Sequence, residues 1–487
     1  MNIKCPQTTI FVTAFIKLLE DRSADKSVDT YIKHFLRLAS TGISIHLFIS
    51  SCFLPLIPTL PNVHITPLEF HELDMYKDIQ DLEFTVPLTN TPRHDTRAYM
   101  TLMNCKVEYV YRAMNDSHWK DTSQFAWIDF GICHVLRNWE ESSHQLQLMA
   151  HTKYKSPAIY IPGCWDLSTG RSSLFSAINW RYCGGLFLGD RQSLLKFYEL
   201  YKANFVNVIK EQKRLVWEVN LWHWLELEKG WNPTWFRGDH DDTILQIPSS
   251  YIYTVASLTS IPSRLPTDTR EAVTSLLHQV DHVYLSIPKT YRRFGSYEDI
   301  PSWLEEEPYK SRVSVSRGED YGPATKYLGS LNDIPEGAWI FICDDDQEFV
   351  PTLVQSILSN VDKLVVYQNH YHSIQTKTSG GLVHGYVGHL LPKALLTNLL
   401  QFPLPPPAYF VDGQWMSIYC YLNDIPIVST SLEQYPQIFK VLQNGWHEKI
   451  GADSLAALHN RNEKIRELER FFGVRFCPDQ RWRLETI

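Results

Sequence analysis

Three consecutive carboxylates, Asp344, Asp345 and Asp346, follow an apolar run that begins at Trp339. The run predicts a buried strand, and ligands of open α/β sheets bind in the crevice beyond the carboxyl ends of the strands. Neighbouring negative charges repel one another unless a cation lies among them, and Mg²⁺ or Mn²⁺ takes oxygen ligands from carboxylates and substrate phosphates. We therefore predict a divalent-cation site that uses Asp344 and Asp346. A solvated acidic turn is the alternative.

Two further residues of the second half suit the transfer of a group from a nucleoside diphosphate. Lys326 lies on a helix that is predicted to precede the acidic strand, and its ammonium would meet the phosphates as a point charge. An ordinary exposed helix lysine is the alternative. Asp412 follows an apolar run and precedes a predicted helix, so it is placed either as a general base for an acceptor hydroxyl or as a helix N-cap.

The first half carries a reduced version of this arrangement. A helix predicted over 97–113 contains Lys106, and the apolar strand after it ends at Asp129. A single carboxylate holds a cation weakly, so we predict His240 as a second ligand, with a solvated acidic turn as the alternative. Glu218 lies among tryptophans, where burial would raise its pKa and make it a base. Its alternative is a helix position with the carboxylate in solvent.

The elements that would position these residues alternate between strand and helix, which predicts a parallel α/β sheet. Strand, helix, strand and strand are predicted in this order over 8–15, 28–39, 43–49 and 63–66. The same order begins again with a strand over 251–257. We predict two tandem Rossmann-like domains, residues 1–247 and 248–487, each with a mostly parallel central sheet flanked by helices.

The composition excludes several classes of protein. A chain of 487 residues is too long for one ordinary core, and a net charge of −8 without a basic block argues against binding to nucleic acid. Nine scattered cysteines without a C-x-x-C pair predict a reduced, intracellular protein with neither a disulfide framework nor a zinc site. The chain begins without a secretory segment, and prolines interrupt its most apolar window, 43–60, so we expect no membrane span.

Several enzyme classes are disfavoured by their missing motifs. The sequence contains no P-loop, no G-x-G-x-x-G, no G-x-S-x-G and no H-E-x-x-H. A sugar-nucleotide pyrophosphorylase would need a Gly- and Arg-rich loop after the first strand. A phosphatase with Asp344 as nucleophile would need a hydroxyl residue soon after the acids. The sequence supplies neither feature convincingly.

Ordered segments of each half resemble known families. In the second half they are SLTSIPSR (257–264), GPATK (322–326), DDD (344–346) and VDGQW (411–415). This set resembles viral, algal and bacterial nucleotide-sugar glycosyltransferases of the GT-A type, in which a DxD motif ends a central strand. That group more often has Asp-Asp where this chain has Asp412-Gly413. In the first half, WIDFG (127–131), CGG (183–185) and WExN (217–220) resemble the HtrL/YibB-like family, a GT-A-like group.

These resemblances imply a bifunctional hexosyl- or pentosyltransferase that builds consecutive linkages of one glycan. They imply a UDP- or GDP-sugar donor, Mn²⁺ or Mg²⁺ as cofactor, and a glycan or glycoprotein acceptor. We expect inversion at the anomeric carbon, no nucleic-acid partner, no stable membrane insertion, and a cytoplasmic location (the host cytoplasm for a viral chain). The alternative is that only the C-terminal domain is catalytic, with the N-terminal domain a degenerate glycan-binding or scaffolding module.

The expected site residues fall into three groups. The catalytic bases are Asp412 and Glu218, and the metal ligands are Asp344, Asp346, Asp129 and His240. The residues expected to bind the nucleotide sugar are Thr13, Asn104, Lys106, Ser257, Thr259, Arg264, Gly322, Lys326 and Asp345.

Overall fold

The computed structural model describes residues 6–18, 27–88, 96–369, 381–385, 388–430, 439–442, 455, 459–477 and 481–484. The chain divides into two compact units, residues 7–251 and residues 252–487, called here the first unit and the second unit. Each is an α/β unit with a seven-stranded mixed sheet flanked by helices. The division falls between Tyr251 and Ile252, whereas the sequence analysis places it between residues 247 and 248.

The sheet of the first unit has the strand order β3-β2-β1-β4-β6-β5-β7. Its strands are β1 (Thr9–Phe15), β2 (Ile45–Ile49), β3 (Val63–Pro67), β4 (Gln124–Ile128), β5 (Ile159–Gly163), β6 (Leu186–Asp190) and β7 (Thr234–Arg237). Every residue of β2, β4 and β5 is buried, as expected for strands that are covered by helices on both faces.

The helices of the first unit follow the predicted order with one difference. They are α1 (Val28–Ala39), α2 (Asp74–Ile79), α3 (Arg97–Asn104), α4 (Lys106–Met114), α5 (Trp139–His151), α6 (Arg191–Gln212) and α7 (Glu218–Glu228). The helix predicted over 97–113 is two helices, because Cys105 has a ψ of −1° and ends the first of them. Lys106 therefore begins a helix instead of lying inside one.

The sheet of the second unit has the strand order β12-β9-β8-β13-β16-β15-β17. Its strands are β8 (Thr254–Thr259), β9 (His282–Ser286), β12 (Val313–Ser316), β13 (Trp339–Ile342), β15 (Val366–Asn369), β16 (His389–Pro392) and β17 (Ile427–Thr430). Three two-stranded ribbons accompany it: β10 (Thr290–Tyr291) with β11 (Gly295–Ser296), β14 (Gln347–Phe349) with β18 (Phe439–Val441), and β19 (Val474–Phe476) with β20 (Trp482–Leu484).

The helices of the second unit are shorter. They are α8 (Asp268–Leu277), α9 (Tyr309–Arg312), α10 (Thr325–Leu328), α11 (Leu353–Leu358), α12 (Asp412–Leu422) and α13 (Arg461–Phe472). A 3₁₀ turn at Gly322–Ala324 leads into α10. Within the described part of the chain, no helix is both long enough and apolar enough to cross a bilayer.

The two sheets have the same topology. Counted from the N-terminus, the strands of each sheet lie in the order third, second, first, fourth, sixth, fifth, seventh. In both, the sixth strand is antiparallel to the fourth and the fifth, and the other four strand pairs are parallel. Residues that follow equivalent strands therefore reach equivalent places at the sheet edge.

Candidate functional site

The three carboxylates of the second unit line a cavity of about 430 Å³ beyond the end of β13. The cavity collects every predicted site residue of this unit except Ser257: Thr259, Arg264, Gly322, Lys326, Asp344, Asp345, Asp346 and Asp412. The cavity is also lined by residues that were not predicted from the sequence, among them Tyr291, Arg293, Asp320, His384 and His459. Tyr291 and Arg293 belong to the β10–β11 ribbon and the other three to separate segments, and no spacing pattern predicts this set.

Lys326 is at the centre of this site, buried to 2% exposure. Its ammonium lies 2.6 Å from Asp344 Oδ1 and 2.9 Å from Asp412 Oδ2. Burial opposes its charge, but the two carboxylates outweigh burial and raise the pKa of Lys326 well above its usual value. Lys326 is therefore not an ordinary exposed helix lysine. The N-cap of α12 is Val411, and the carboxylate of Asp412 pairs with the lysine instead of capping the helix.

The other two carboxylates turn toward Arg264. Its Nη1 lies 2.8 Å from Asp345 Oδ1 and 3.2 Å from Asp346 Oδ2, and Ser260 Oγ donates to Asp345 Oδ2. Burial, together with the charges of Asp345 and Asp344, raises the pKa of Asp346 to about 7 against the opposing effect of Arg264.

The acidic end of β13 fits a hard divalent cation. Asp346 Oδ1 is buried and accepts no hydrogen bond from any residue that the structure describes. Asp344 is partly exposed to the cavity, with 31% of its side chain accessible. Carboxylate oxygens of this kind are the donors that Mg²⁺ and Mn²⁺ prefer.

Two glycines allow the backbone to approach this site closely. Gly322 has a φ of +64°, and a Cβ there would lie 2.8 Å from the ring of Tyr409. A Cβ at Gly385 would lie 2.5 Å from the ammonium of Lys326. Because either side chain would displace a member of the site, both positions require glycine.

Ser257 and Thr259 support the site from the end of β8. The hydroxyl of Ser257 is buried and donates to the carbonyl of Lys326, at 2.7 Å. The hydroxyl of Thr259 donates to the carbonyl of Ser286, at 2.8 Å, although Thr259 also lines the cavity. Ser257 therefore positions the lysine through the backbone of α10.

The first unit has a lysine in the same role. Lys106 is 3% exposed, and its ammonium lies 2.9 Å from Asp129 Oδ1 and 2.8 Å from Glu218 Oε1. It also donates to the carbonyl of Gly184, at 2.8 Å, while the indole of Trp127 donates to Asp129 Oδ1. Burial opposes the charge of Lys106, but its two acidic neighbours raise its pKa.

Glu218 is the buried acid of this group. It begins α7 and is 4% exposed, so its carboxylate does not lie in solvent. Burial raises its pKa, against the opposing effect of Lys106. Its second oxygen, Oε2, is buried without a donor among the described residues.

The two groups occupy equivalent places, and we call each a lysine triad: Lys106–Asp129–Glu218 and Lys326–Asp344–Asp412. In each unit the lysine comes from the helix before the fourth strand, and the first acid follows that strand. The second acid begins the last helix before the seventh strand. All six residues were predicted from the sequence as site residues, but the pairing of one lysine with two acids in each unit was not.

Three predicted residues of the first unit lie outside its triad. Asn104 is fully buried, and its amide donates to the carbonyls of Met100 and Val216, so it packs α3 and does not face a ligand. Thr13 lies on β1 with a buried hydroxyl. His240 belongs to a cluster with Cys164, Cys183 and Asp239, and Asp129 is not part of that cluster among the described residues. The predicted joint metal site of Asp129 and His240 therefore has no support in the structure.

We predict that Lys106→Met destabilises the first unit by about 3–5 kcal/mol, because it leaves the carboxylate of Glu218 buried without a counter-charge. The double variant Lys106→Met/Glu218→Gln should recover most of this loss. Denaturant unfolding of both variants measures the effect. A single variant as stable as the native chain would contradict the assigned charge balance.

We also predict that Asp346 makes the second unit less stable as the pH rises from about 4 to about 7 in metal-free buffer, a contribution opposite in sign to that of His389, whose pKa burial lowers to about 3. Asp346 has a raised pKa in the folded state, so the folded chain binds more protons than the unfolded chain across this window. Each pH unit should cost at most about 1.4 kcal/mol, with no further loss from this group above pH 7. The free energy of unfolding of Asp346→Asn is measured at each pH and compared with that of the native chain. The variant should lack the pH-dependent loss that Asp346 contributes.

Comparison with known proteins agrees with one part of the sequence analysis. Residues 7–215 match the HtrL_YibB family model, which is described as a bacterial protein of unknown function. The comparison with curated proteins finds no match to the chain. The matched range includes Lys106 and Asp129 but ends before Glu218. The predicted resemblance of the first half to the HtrL/YibB-like family is therefore confirmed, and this resemblance says nothing about the activity of either half.

Proposed function

We propose that both units are GT-A-type glycosyltransferases that transfer sugars from nucleotide diphosphate donors to a growing glycan. The observation that carries the proposal is the lysine triad, which recurs at equivalent positions of two sheets with the same strand order. A mixed α/β sheet with acids at the end of its central strand is consistent with the GT-A fold. The cytoplasmic location and the glycan or glycoprotein acceptor belong to the same proposal.

In the second unit, the donor would occupy the cavity at the end of β13. Its volume of about 430 Å³ lies within the usual range for small-molecule sites. Asp344 and Asp346 would hold Mn²⁺ or Mg²⁺, which would neutralise the charge that develops on the departing diphosphate. Arg264 neutralises Asp345 and also pairs with Asp346 Oδ2, so the oxygen of Asp346 left for this role is Oδ1.

Asp412 is the proposed base of the second unit. Its carboxylate is 17% exposed and lines the cavity, and Lys326 binds only its Oδ2. The other oxygen would accept the proton of an acceptor hydroxyl while that oxygen bonds to the anomeric carbon and the bond from this carbon to the diphosphate breaks. Direct displacement of this kind inverts the anomeric centre. A positioned base contributes roughly 10²–10⁴-fold to the rate.

In the first unit, Glu218 is the equivalent base and Asp129 the equivalent acid at the strand end. The ammonium of Lys106 supplies the positive charge beside Asp129. No step is assigned here to a cation shared by Asp129 and His240, because they lie in separate clusters.

The alternative proposal is that only the second unit is catalytic and the first is a degenerate glycan-binding or scaffolding module. It is favoured by the single carboxylate at the end of β4, where Asp129 Oδ1 is already engaged by Trp127 and Lys106. It is also favoured by the deep burial of Glu218.

Separate substitution of the two strand-end acids distinguishes these proposals. Asp129→Asn and Asp346→Asn are assayed with a panel of UDP- and GDP-sugars and Mn²⁺, and released nucleotide diphosphate is measured. Each variant should lose one activity by about 10²–10³-fold and keep the other. Asp121→Asn and Asp333→Asn, at exposed positions, are the matched controls and should keep both activities.

The outcomes separate cleanly once thermal unfolding has shown that the variants fold. If Asp129→Asn leaves every activity unchanged, the first unit is not catalytic and the alternative holds. If the native chain consumes no nucleotide sugar in the panel, the glycosyltransferase proposal itself fails.

A further inference from the structure

The first unit brings together four metal-ligating side chains that the proposed sugar transfer does not use. Cys164, Cys183, Asp239 and His240 offer ligand atoms that all lie within 4.8 Å of one another. The two sulfur atoms are 3.6 Å apart, and Cys183 Sγ lies 4.0 Å from His240 Nδ1. We call these four residues the thiol–histidine cluster.

The sheet topology creates this cluster from residues that are distant in sequence. β5 and β7 are parallel neighbours, so Cys164 and His240, which follow them, leave the sheet at the same edge. β6 is antiparallel to β5, so Cys183, which precedes β6, arrives at that edge as well. A Cβ at Gly163 would lie 1.8 Å from the carbonyl oxygen of Arg181, so glycine at 163 is what allows the segment before Cys183 to cross so closely.

We propose that the thiol–histidine cluster binds one Zn²⁺ ion, with Cys164, Cys183 and His240 as ligands and Asp239 as the fourth. Zinc prefers a tetrahedral set of thiolate, imidazole and carboxylate ligands, with Zn–S distances of about 2.3 Å and Zn–N distances of about 2.0–2.1 Å. Two ligand sulfurs of such a site stand about 3.8 Å apart, and a sulfur and a nitrogen about 3.6 Å apart. The observed separations of 3.6 and 4.0 Å therefore need a shift of only a few tenths of an ångström.

The partners of these side chains leave them available to a metal. Both thiols have a weak contact with the carbonyl of Gly238, at 3.4 Å. Their other contacts join members of the cluster: Cys164 contacts Asp239, and Asp239 Oδ1 lies 3.2 Å from His240 Nδ1. The side chains of His240 and Asp239 are 40% and 68% exposed, so an ion can enter from solvent.

A second group of metal-ligating residues in the first unit differs from the thiol–histidine cluster in the partners of its ligand atoms. His46, His64 and Asp116 also lie within reach of one another. However, His46 Nε2 is bonded to Thr66, its Nδ1 accepts from Trp119, and His64 is paired with Asp116. The ligand atoms of this group are already engaged, and we assign no metal to it.

The proposed ion is linked to the lysine triad through one peptide unit. Cys183 is followed by Gly184, whose carbonyl accepts the hydrogen bond from Lys106. A Cβ at Gly184 would lie 2.2 Å from Glu218 Oε1, so this segment packs directly on the triad. An ion bound by Cys183 would therefore fix the carbonyl that orients Lys106.

Titration of the full chain with Co²⁺ tests the proposal independently of any transferase activity. The chain is purified with a reductant, stripped of metal and titrated while its absorption spectrum is recorded. We expect the thiolate-to-cobalt charge transfer in the near ultraviolet and the tetrahedral bands in the visible to saturate at one Co²⁺ per chain, since Co²⁺ on carboxylates gives no thiolate band. Zn²⁺ should displace the Co²⁺, whereas Mg²⁺, which prefers oxygen ligands, should not.

Variants assign the bands to the cluster. Cys164→Ser/Cys183→Ser should lose the charge-transfer band, and Cys52→Ser, at an exposed cysteine outside the cluster, should retain it. His240→Ala changes an exposed side chain and keeps the test valid if the double variant does not fold. Loss of a residue that only supports a metal ligand costs roughly 10–100-fold in metal affinity. Because His240 is a proposed ligand itself, His240→Ala should weaken Co²⁺ binding by more than that. A native spectrum without thiolate bands, unchanged binding in His240→Ala, or bands that survive in the double serine variant would overturn the proposal.

Discussion

The structure of each unit depends on a buried lysine ammonium that is held between two carboxylates. Removing such a charge from water costs several kcal/mol, and it is tolerated only where counter-charges are placed around it. Lys106 and Lys326 meet this condition with two acids each, at 2.6–2.9 Å. Three separate elements must therefore converge in each unit: the helix before the central strand, the end of that strand, and the start of a later helix.

The two lysine triads differ in the charged and metal-ligating residues around them. In the second unit, Asp345 and Asp346 extend the acidic end of β13, and Arg264 balances part of their charge. In the first unit, the equivalent strand end has one carboxylate. The thiol–histidine cluster is connected to the lysine triad there, because Gly184, which follows Cys183, accepts a hydrogen bond from Lys106. We infer that the same scaffold supports an oxygen-ligated cation in one unit and a thiolate-ligated cation in the other.

Features that depend on neighbouring residues in the chain could be predicted from the sequence. Apolar runs predicted the central strands, and the acids at their ends identified Asp129 and Asp344 as site residues. The direction of each strand within its sheet could not be predicted, because hydrophobic periodicity does not report whether a strand is parallel to its neighbours. The antiparallel sixth strand makes each sheet mixed, and it also brings Cys183 beside Cys164.

Contacts between distant residues account for what the sequence analysis missed. The pairing of Lys106 with Glu218 joins α4 and α7, two helices that are distant in sequence. The scattered cysteines predict no zinc site, because zinc motifs are recognised by short spacings that Cys164 and Cys183 lack. The zinc site proposed above depends instead on the proximity of these two residues in the fold. Asn104 is predicted to bind the nucleotide sugar, yet its amide donates to the carbonyls of Met100 and Val216 within the core.

The most direct test of the central claim is a crystal structure of the full chain soaked with Mn²⁺ and either UDP or GDP. The account predicts a diphosphate in the cavity of the second unit, with Mn²⁺ on Asp344 and Asp346, and a second diphosphate beside Asp129 in the first unit. Nucleotide bound away from both lysine triads, with the carboxylates still paired only to lysine and arginine, would contradict it.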